Sequence, residues 1–193
     1  MKRTILTALS AFLISCITVA PIVNPSREIN LYGISSLPPQ DGNWAVITAS
    51  GYQASIGKQG EKKGESLVAN LYIYKLPELP TDTVFLSYIA KGRTAEPDIG
   101  RFEIFKNDEI LAILDGANCV RYHSISKDKS ARVQSGTTVT MLLENLGYHC
   151  KHPKNHMVGV NLEYSLRHFP ETSYTSFEVD ATKFFNNVKF TDF

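Results

Sequence analysis

Three imidazoles and a thiol fall within eight residues, His149-Cys150-Lys151-His152-Pro153-Lys154-Asn155-His156. Imidazole nitrogen suits zinc, copper and nickel, and thiolate sulfur suits zinc and copper(I). The spacing matches no closed tetrahedral site, and on a strand His149 and Cys150 point to opposite faces. What remains is a two-ligand surface site for zinc or copper, made by His152 and His156 across the turn at Pro153. The other reading of the same segment is a polar hairpin loop that needs no cofactor.

Other catalytic patterns are weak or missing. There is no Gly-x-Ser-x-Gly elbow to present a serine nucleophile. Residues 51–58 look superficially like a phosphate loop, but five residues separate Gly51 from Gly57, and Gln59 stands where a magnesium-binding hydroxyl belongs. The carboxylates are scattered, so no pair stands out for acid–base work; Asp115 with Glu144 would be a guess. A Cys-His nucleophile is disfavoured because Cys150 has a partner available in Cys119, and a disulfide sulfur carries no thiolate.

Binding is the remaining class. The chain has nine Tyr and one Trp, and Tyr72 and Tyr74 share one face of an expected strand, where they could line a groove for a peptide, a glycan or a protein. They could equally complete the core with polar tips at its edge. Lys151, Lys154 and Arg167 offer at most a small basic spot. With 20 basic against 19 acidic side chains and a net charge of +1 there is no footprint for nucleic acid.

The N-terminus carries an address. Lys2 and Arg3 precede an apolar run over residues 5–14, too short to span a bilayer comfortably. Leu13-Ile14-Ser15-Cys16 follows, and this run resembles the lipobox of bacterial lipoproteins. The resemblance implies cleavage before Cys16 and acylation of its thiol. A rival cut after Ala20 would put Pro21 next to the scissile bond. Ile17 replaces the Asp that retains such proteins at the inner membrane, which implies anchoring at the outer membrane, facing the periplasm. The expected organisation is a signal peptide over residues 1–15, the acylated cysteine and a Pro-containing flexible tether over 16–40, and a single domain over 41–193.

With Cys16 given to lipid, Cys119 and Cys150 remain as an even pair in an oxidising compartment, where a disulfide is the default and two buried thiols the alternative. Residues 119–126 and 138–150 read as strands flanking a polar connection, so they fold into a long hairpin. Opposing the two cysteines sets Arg121 against Tyr148, Tyr122 against Gly147 and His123 against Leu146.

Further strands are expected at 44–49 and 52–57 (a hairpin around Ser50-Gly51), 67–76, 102–105, 110–114 and 157–166. A helix starts at Thr81 or Asp82, carries Val84, Phe85, Tyr88 and Ile89 on one stripe, and stops at Gly92. A second has a capping box in Thr175-x-x-Glu178 and a stripe of Phe177, Ala181, Phe184, Phe185 and Val188. The class is α+β: an antiparallel sheet packed with one internal helix and a C-terminal amphipathic helix.

This pattern, ending in Phe184-Phe185-Asn186-Asn187-Val188-Lys189-Phe190, resembles the PsbP-type sandwich. Trp44, Cys119-Val120-Arg121-Tyr122 and Tyr148-His149-Cys150-Lys151-His152-Pro153 are similar to elements of a group of uncharacterised proteobacterial envelope lipoproteins. The resemblance implies fold but no activity. The expectation is an envelope lipoprotein, held to the membrane by its lipid, whose domain binds or scaffolds an envelope protein or cell-wall partner rather than catalysing. The alternative is an envelope metal-binding protein using residues 149–156.

Overall fold

Alternation along a single strand separates the two faces of the protein. Residues Val160, Leu162, Tyr164 and Leu166 are buried on one side, while Asn161, Glu163, Ser165 and Arg167 point to the other. The structure is a computed structural model, and it describes residues 21–94, 100–132 and 136–193, with Arg132 as backbone only. The signal peptide expected over residues 1–15 and the expected acylation site Cys16 lie outside the described residues.

In chain order the elements are β1 (Ile29–Leu31), β2 (Ile34–Ser36), β3 (Ala45–Ala49), β4 (Gln53–Gln59), β5 (Ser66–Lys75), α1 (Asp82–Thr94), β6 (Phe102–Leu114), β7 (Ala117–Arg132), β8 (Thr138–His152), β9 (Asn155–His168), α2 (Phe177–Asn186) and β10 (Lys189–Phe190). Seven strands form one antiparallel sheet in the order β3-β4-β5-β9-β8-β7-β6, and β1-β2-β10 form a small second sheet. Helix α2 lays Phe177, Ala181, Phe184 and Phe185 on the face that carries Leu162, Tyr164 and Leu166, and Trp44 joins that core. Helix α1 packs on the opposite face, where Phe85 and Ile89 meet Leu76 and Val120. The result is the expected α+β sandwich, with the sheet between two helices. Among the described residues no helix is long and apolar enough to cross a membrane.

Four elements differ from expectation. Residues 21–40 are folded onto the domain rather than forming a tether. Leu31 and Ile34 are buried in the main core, β2 pairs with β10, and Ile22 bridges Ala45 beside β3. Strand β6 is continuous across the polar residues Lys106, Asn107 and Asp108, absorbing its irregularity as a register shift between Ile104 and Lys106. Helix α1 passes Gly92 to Thr94 and buries Phe85 and Ile89, leaving Val84 and Tyr88 exposed. The N-cap of α2 is Ser176 with no side-chain cap hydrogen bond, so the capping box does not form.

Candidate functional site

The register of five strands lines up the polar residues of the α1 face. Val68, Ser165, Asn145, Ser124 and Asn107 stand in one row across β5, β9, β8, β7 and β6. The next row toward α1 reads Asn70, Glu163, Gly147, Tyr122 and Glu109, and the row on the other side reads Ser66, Arg167, Leu143, Ser126 and Ile104. The first row, with Asn70, Glu163, Arg167, Leu143 and Ser126 from its neighbours, floors a groove of about 710 Å³, walled by Arg93 and Thr94 at the end of α1 and by Phe102 and Ile104 of β6. A cavity of this size suits a small ligand or a segment of a polymer. Helix α1 stops short of covering the sheet, and the recessed floor left beyond it carries hydroxyls and amides.

The charged groups at the ends of the groove are fixed. The Arg93 guanidinium lies 3.6 Å from the centre of the Tyr122 ring, and its Nε donates to Glu109 Oε1 at 3.2 Å. The Tyr122 hydroxyl donates to Glu163 Oε2 at 2.9 Å, and Asn70 Nδ2 donates to Glu163 Oε1 at 3.3 Å. Burial, with the Glu163 charge added, pushes the Tyr122 phenol well above its ordinary range, so it is a permanent donor. At the far end Asp128 is buried beneath a bidentate Arg101 (2.9 and 2.8 Å), with Arg167 at 3.3 Å. The Arg101 hydrogen bonds hold its carboxyl below the usual carboxylate range. Such a surface can hold a polar ligand by many neutral hydrogen bonds.

A second cluster lies on the α2 face. His123 Nε2 is 2.6 Å from Glu144 Oε1, its Nδ1 is 3.0 Å from Lys106 Nζ, and Glu178 Oε1 is 3.9 Å from Nδ1. Lysine can only donate, so Nδ1 accepts and Nε2–H donates to Glu144. His123, Glu144 and Glu178 have the proximity of metal ligands, but the Lys106 ammonium already lies against the histidine nitrogen that Glu144 leaves free. The chemistry of this set is a hydrogen-bonded chain joining β6, β7 and β8, with the Glu178 carboxylate of α2 nearby at 3.9 Å.

The residues singled out in the sequence divide differently. Cys119 and Cys150 oppose each other on β7 and β8, with Cα atoms 3.9 Å apart and their sulfurs joined. Arg121 faces Tyr148, Tyr122 faces Gly147 and His123 faces Leu146 in the same hairpin. The pairing of His152 with His156 as a two-ligand surface site needs correction. His152 is fully buried, its Nε2 donates to the Gly33 carbonyl at 2.8 Å, and its Nδ1 accepts from Lys154 N at 3.2 Å, so both nitrogens are spent. His156 is exposed on β9. His149 meets Tyr74 instead, with Nδ1 3.0 Å from the hydroxyl. Lys151 donates to the Leu79 carbonyl at 3.1 Å and Lys154 pairs with Asp192, so the basic spot dissolves into separate contacts. Of that trio only Arg167 reaches the groove. Asn70, Asn107, Ser124, Asn145 and Ser165 went unnoticed in the sequence, because their alignment becomes visible only when the registers of five strands are combined.

No protein-family model and no curated protein matches the chain. Among solved structures it is similar to a mutant of the protein Mog1, at 10% identity and a TM-score of 0.45, covering 86% of this chain and 96% of that one. It is also similar to the Saccharomyces cerevisiae Ran-binding protein Mog1p, at 9% identity and a TM-score of 0.46, covering 90% of this chain and 97% of that one.

Proposed function

We propose that this protein is an envelope lipoprotein, acylated at Cys16 and facing the periplasm from the outer membrane, whose domain binds a polar partner of the envelope without catalysing a reaction. The observation that carries the binding role is the row Ser165-Asn145-Ser124-Asn107 at the floor of the groove. A sheet face of an antiparallel protein is polar where it meets bulk water. Here Ser124, Ser126 and Ser165 are recessed to 8, 8 and 9% exposure, and a recessed set of neutral donors and acceptors is suited to ligand recognition. The lipobox run at residues 13–16 supports the address, and the Cys119–Cys150 pair suits an oxidising compartment.

Titrating the isotope-labelled domain (residues 21–193) with soluble peptidoglycan fragments tests the binding role. Amide shifts should concentrate on residues 107, 124, 126, 145 and 165, and Ser124→Val with Asn145→Leu should abolish them while the fold persists. Shifts confined to another surface would defeat this assignment of the groove. For the address, Cys16→Ser should leave the protein without fatty acid and release it from the membrane fraction; unchanged partitioning, with no labelled fatty acid on either form, would defeat it.

A further inference from the structure

The folded domain begins close to the proposed anchor. Val46 N donates to the Pro21 carbonyl at 2.9 Å, Val23 N donates to the Trp44 carbonyl at 2.8 Å, and Ile22 bridges Ala45, so the chain is fastened along β3 from Pro21 onward. Cys16 stands five positions earlier, and five residues reach at most ~18 Å. An acyl chain on Cys16 therefore keeps the β3 edge of the sheet within about that distance of the headgroups.

That edge exposes large apolar side chains, as β6 does at the opposite end of the sheet, but it is the one the Cys16 link holds near the headgroups. Ile22 and Ile47 are 70% and 60% exposed. Tyr52 at the adjoining β3–β4 turn and Tyr32 of the β1–β2 turn beside it are 62% and 55% exposed, with ring centres 4.9 Å apart and tilted by 50°, and Tyr32 N donates to the Gly51 carbonyl. Exposed isoleucines with a tyrosine pair are what a surface resting in the headgroup region carries, since tyrosine places an apolar ring and a polar tip at that depth.

We propose that the β3 edge, through Ile22, Ile47, Tyr32 and Tyr52, lies on the bilayer surface and fixes the orientation of the domain. This rests on the reading of Cys16 as acylated. Strand β6 is at the other end of the seven-stranded order, roughly 29 Å away at the usual strand spacing, so the groove opens sideways from the sheet face with its β6 wall farthest from the lipid.

The test uses the full acylated protein in vesicles of phosphatidylethanolamine and phosphatidylglycerol, with a nitroxide on Ile47→Cys, Tyr52→Cys or, as a control on β6, Ile113→Cys. Labels at 47 and 52 should be relaxed several-fold more strongly by a lipid-borne paramagnetic probe than the label at 113. Equal, water-like accessibility at all three on a chain shown by mass spectrometry to carry its acyl groups would overturn the orientation alone. Absence of the acyl groups would overturn the anchor and the orientation together. Protection at 47 and 52 accompanied by short label-to-label distances between molecules would assign the edge to a second copy instead, and so overturn the proposal.

Discussion

The ring of Tyr122 lies over the bare backbone of Gly147, directly opposite it on the neighbouring strand. A β-carbon at Gly147 would overlap the Tyr122 ring and the Leu162 carbonyl oxygen on the other side. Glycine here makes room for a buried phenol that donates to Glu163 at the groove. Gly147→Ala should therefore lower stability by about 1–3 kcal/mol, the cost of overpacking a closed site. Trimming the phenol as well, in Tyr122→Phe, should not restore it, because the carbonyl stays in place. Thermal denaturation of the two variants decides this; an unchanged midpoint for Gly147→Ala would show that β8 and β9 can part freely.

The Cys119–Cys150 bond spans a sequence separation of 31. In the loop-entropy account its loss, in Cys119→Ser with Cys150→Ser, should cost ~3–4 kcal/mol. The native protein, denatured without reductant, should present neither thiol to a labelling reagent. Two reactive thiols would mean that the bond does not form.

Stability should fall as the medium is acidified, in two windows. Burial, helped by the Arg93 charge, lowers the His149 pKa from 6.5 to about 3. Burial alone would raise the Glu65 carboxyl, but hydrogen bonds from the Tyr174 hydroxyl (2.7 Å) and from the N–H groups of Lys62 (2.9 Å) and Phe169 (3.1 Å) outweigh it and hold the pKa at about 2, against 4.5. Both groups bind a proton more readily in the unfolded chain, so the unfolded state gains as pH falls through 6.5 and again through 4.5. Melting temperatures taken from about pH 7 to about pH 3 should drop in both windows. Glu65→Gln should make the fall in the lower window shallower, leaving the share of Asp128 and the other paired carboxylates, and His149→Gln should flatten the upper one; a profile parallel to the parent in either variant would remove that residue from the account.

Phe184 touches Tyr164 and Phe185 at the centre of the α2 interface and is almost wholly buried. Phe184→Ala should destabilise the domain by about 3–5 kcal/mol. Exposed Val179 on the outer side of the same helix provides the control, with Val179→Ala within about 0.5 kcal/mol of the parent. Equal denaturant midpoints for the two variants would mean that α2 is not a core element.

The legible parts of the sequence were those in which a local pattern has one long-range solution. Opposing Cys119 to Cys150 across a polar connection determines the β7–β8 register residue by residue. The Phe177-Ala181-Phe184-Phe185 stripe determines the buried face of α2. Strands β1 and β2 were hidden because three residues cannot display an alternation, and because β2 finds its second partner, β10, at the far end of the chain. Strand β6 looked like two segments because Lys106, Asn107, Asp108 and Glu109 interrupt its apolar residues, although an edge strand carries charge without losing its pairing. The histidines misled for a related reason. Their crowding in sequence suggested a shared ligand, whereas alternation and burial sent His149 to Tyr74 and His152 to the Gly33 carbonyl. Nothing in a single strand advertises the groove.

The small sheet gives the domain a clasp that closes last. Ile34 and Ser35 pair with Phe190 and Lys189, and His152 holds the Gly33 carbonyl while packing against Phe190 and Phe193. A chain threaded out of a ribosome or a translocation pore delivers β1 and β2 first and β10 almost last. Closing so long a loop pays its entropy before any contact repays it. Until β10 arrives, β2 has an open edge and the aromatic seat around His152 is incomplete, so the segment carrying β1 and β2 is the part of the domain a protease should find open longest during biogenesis.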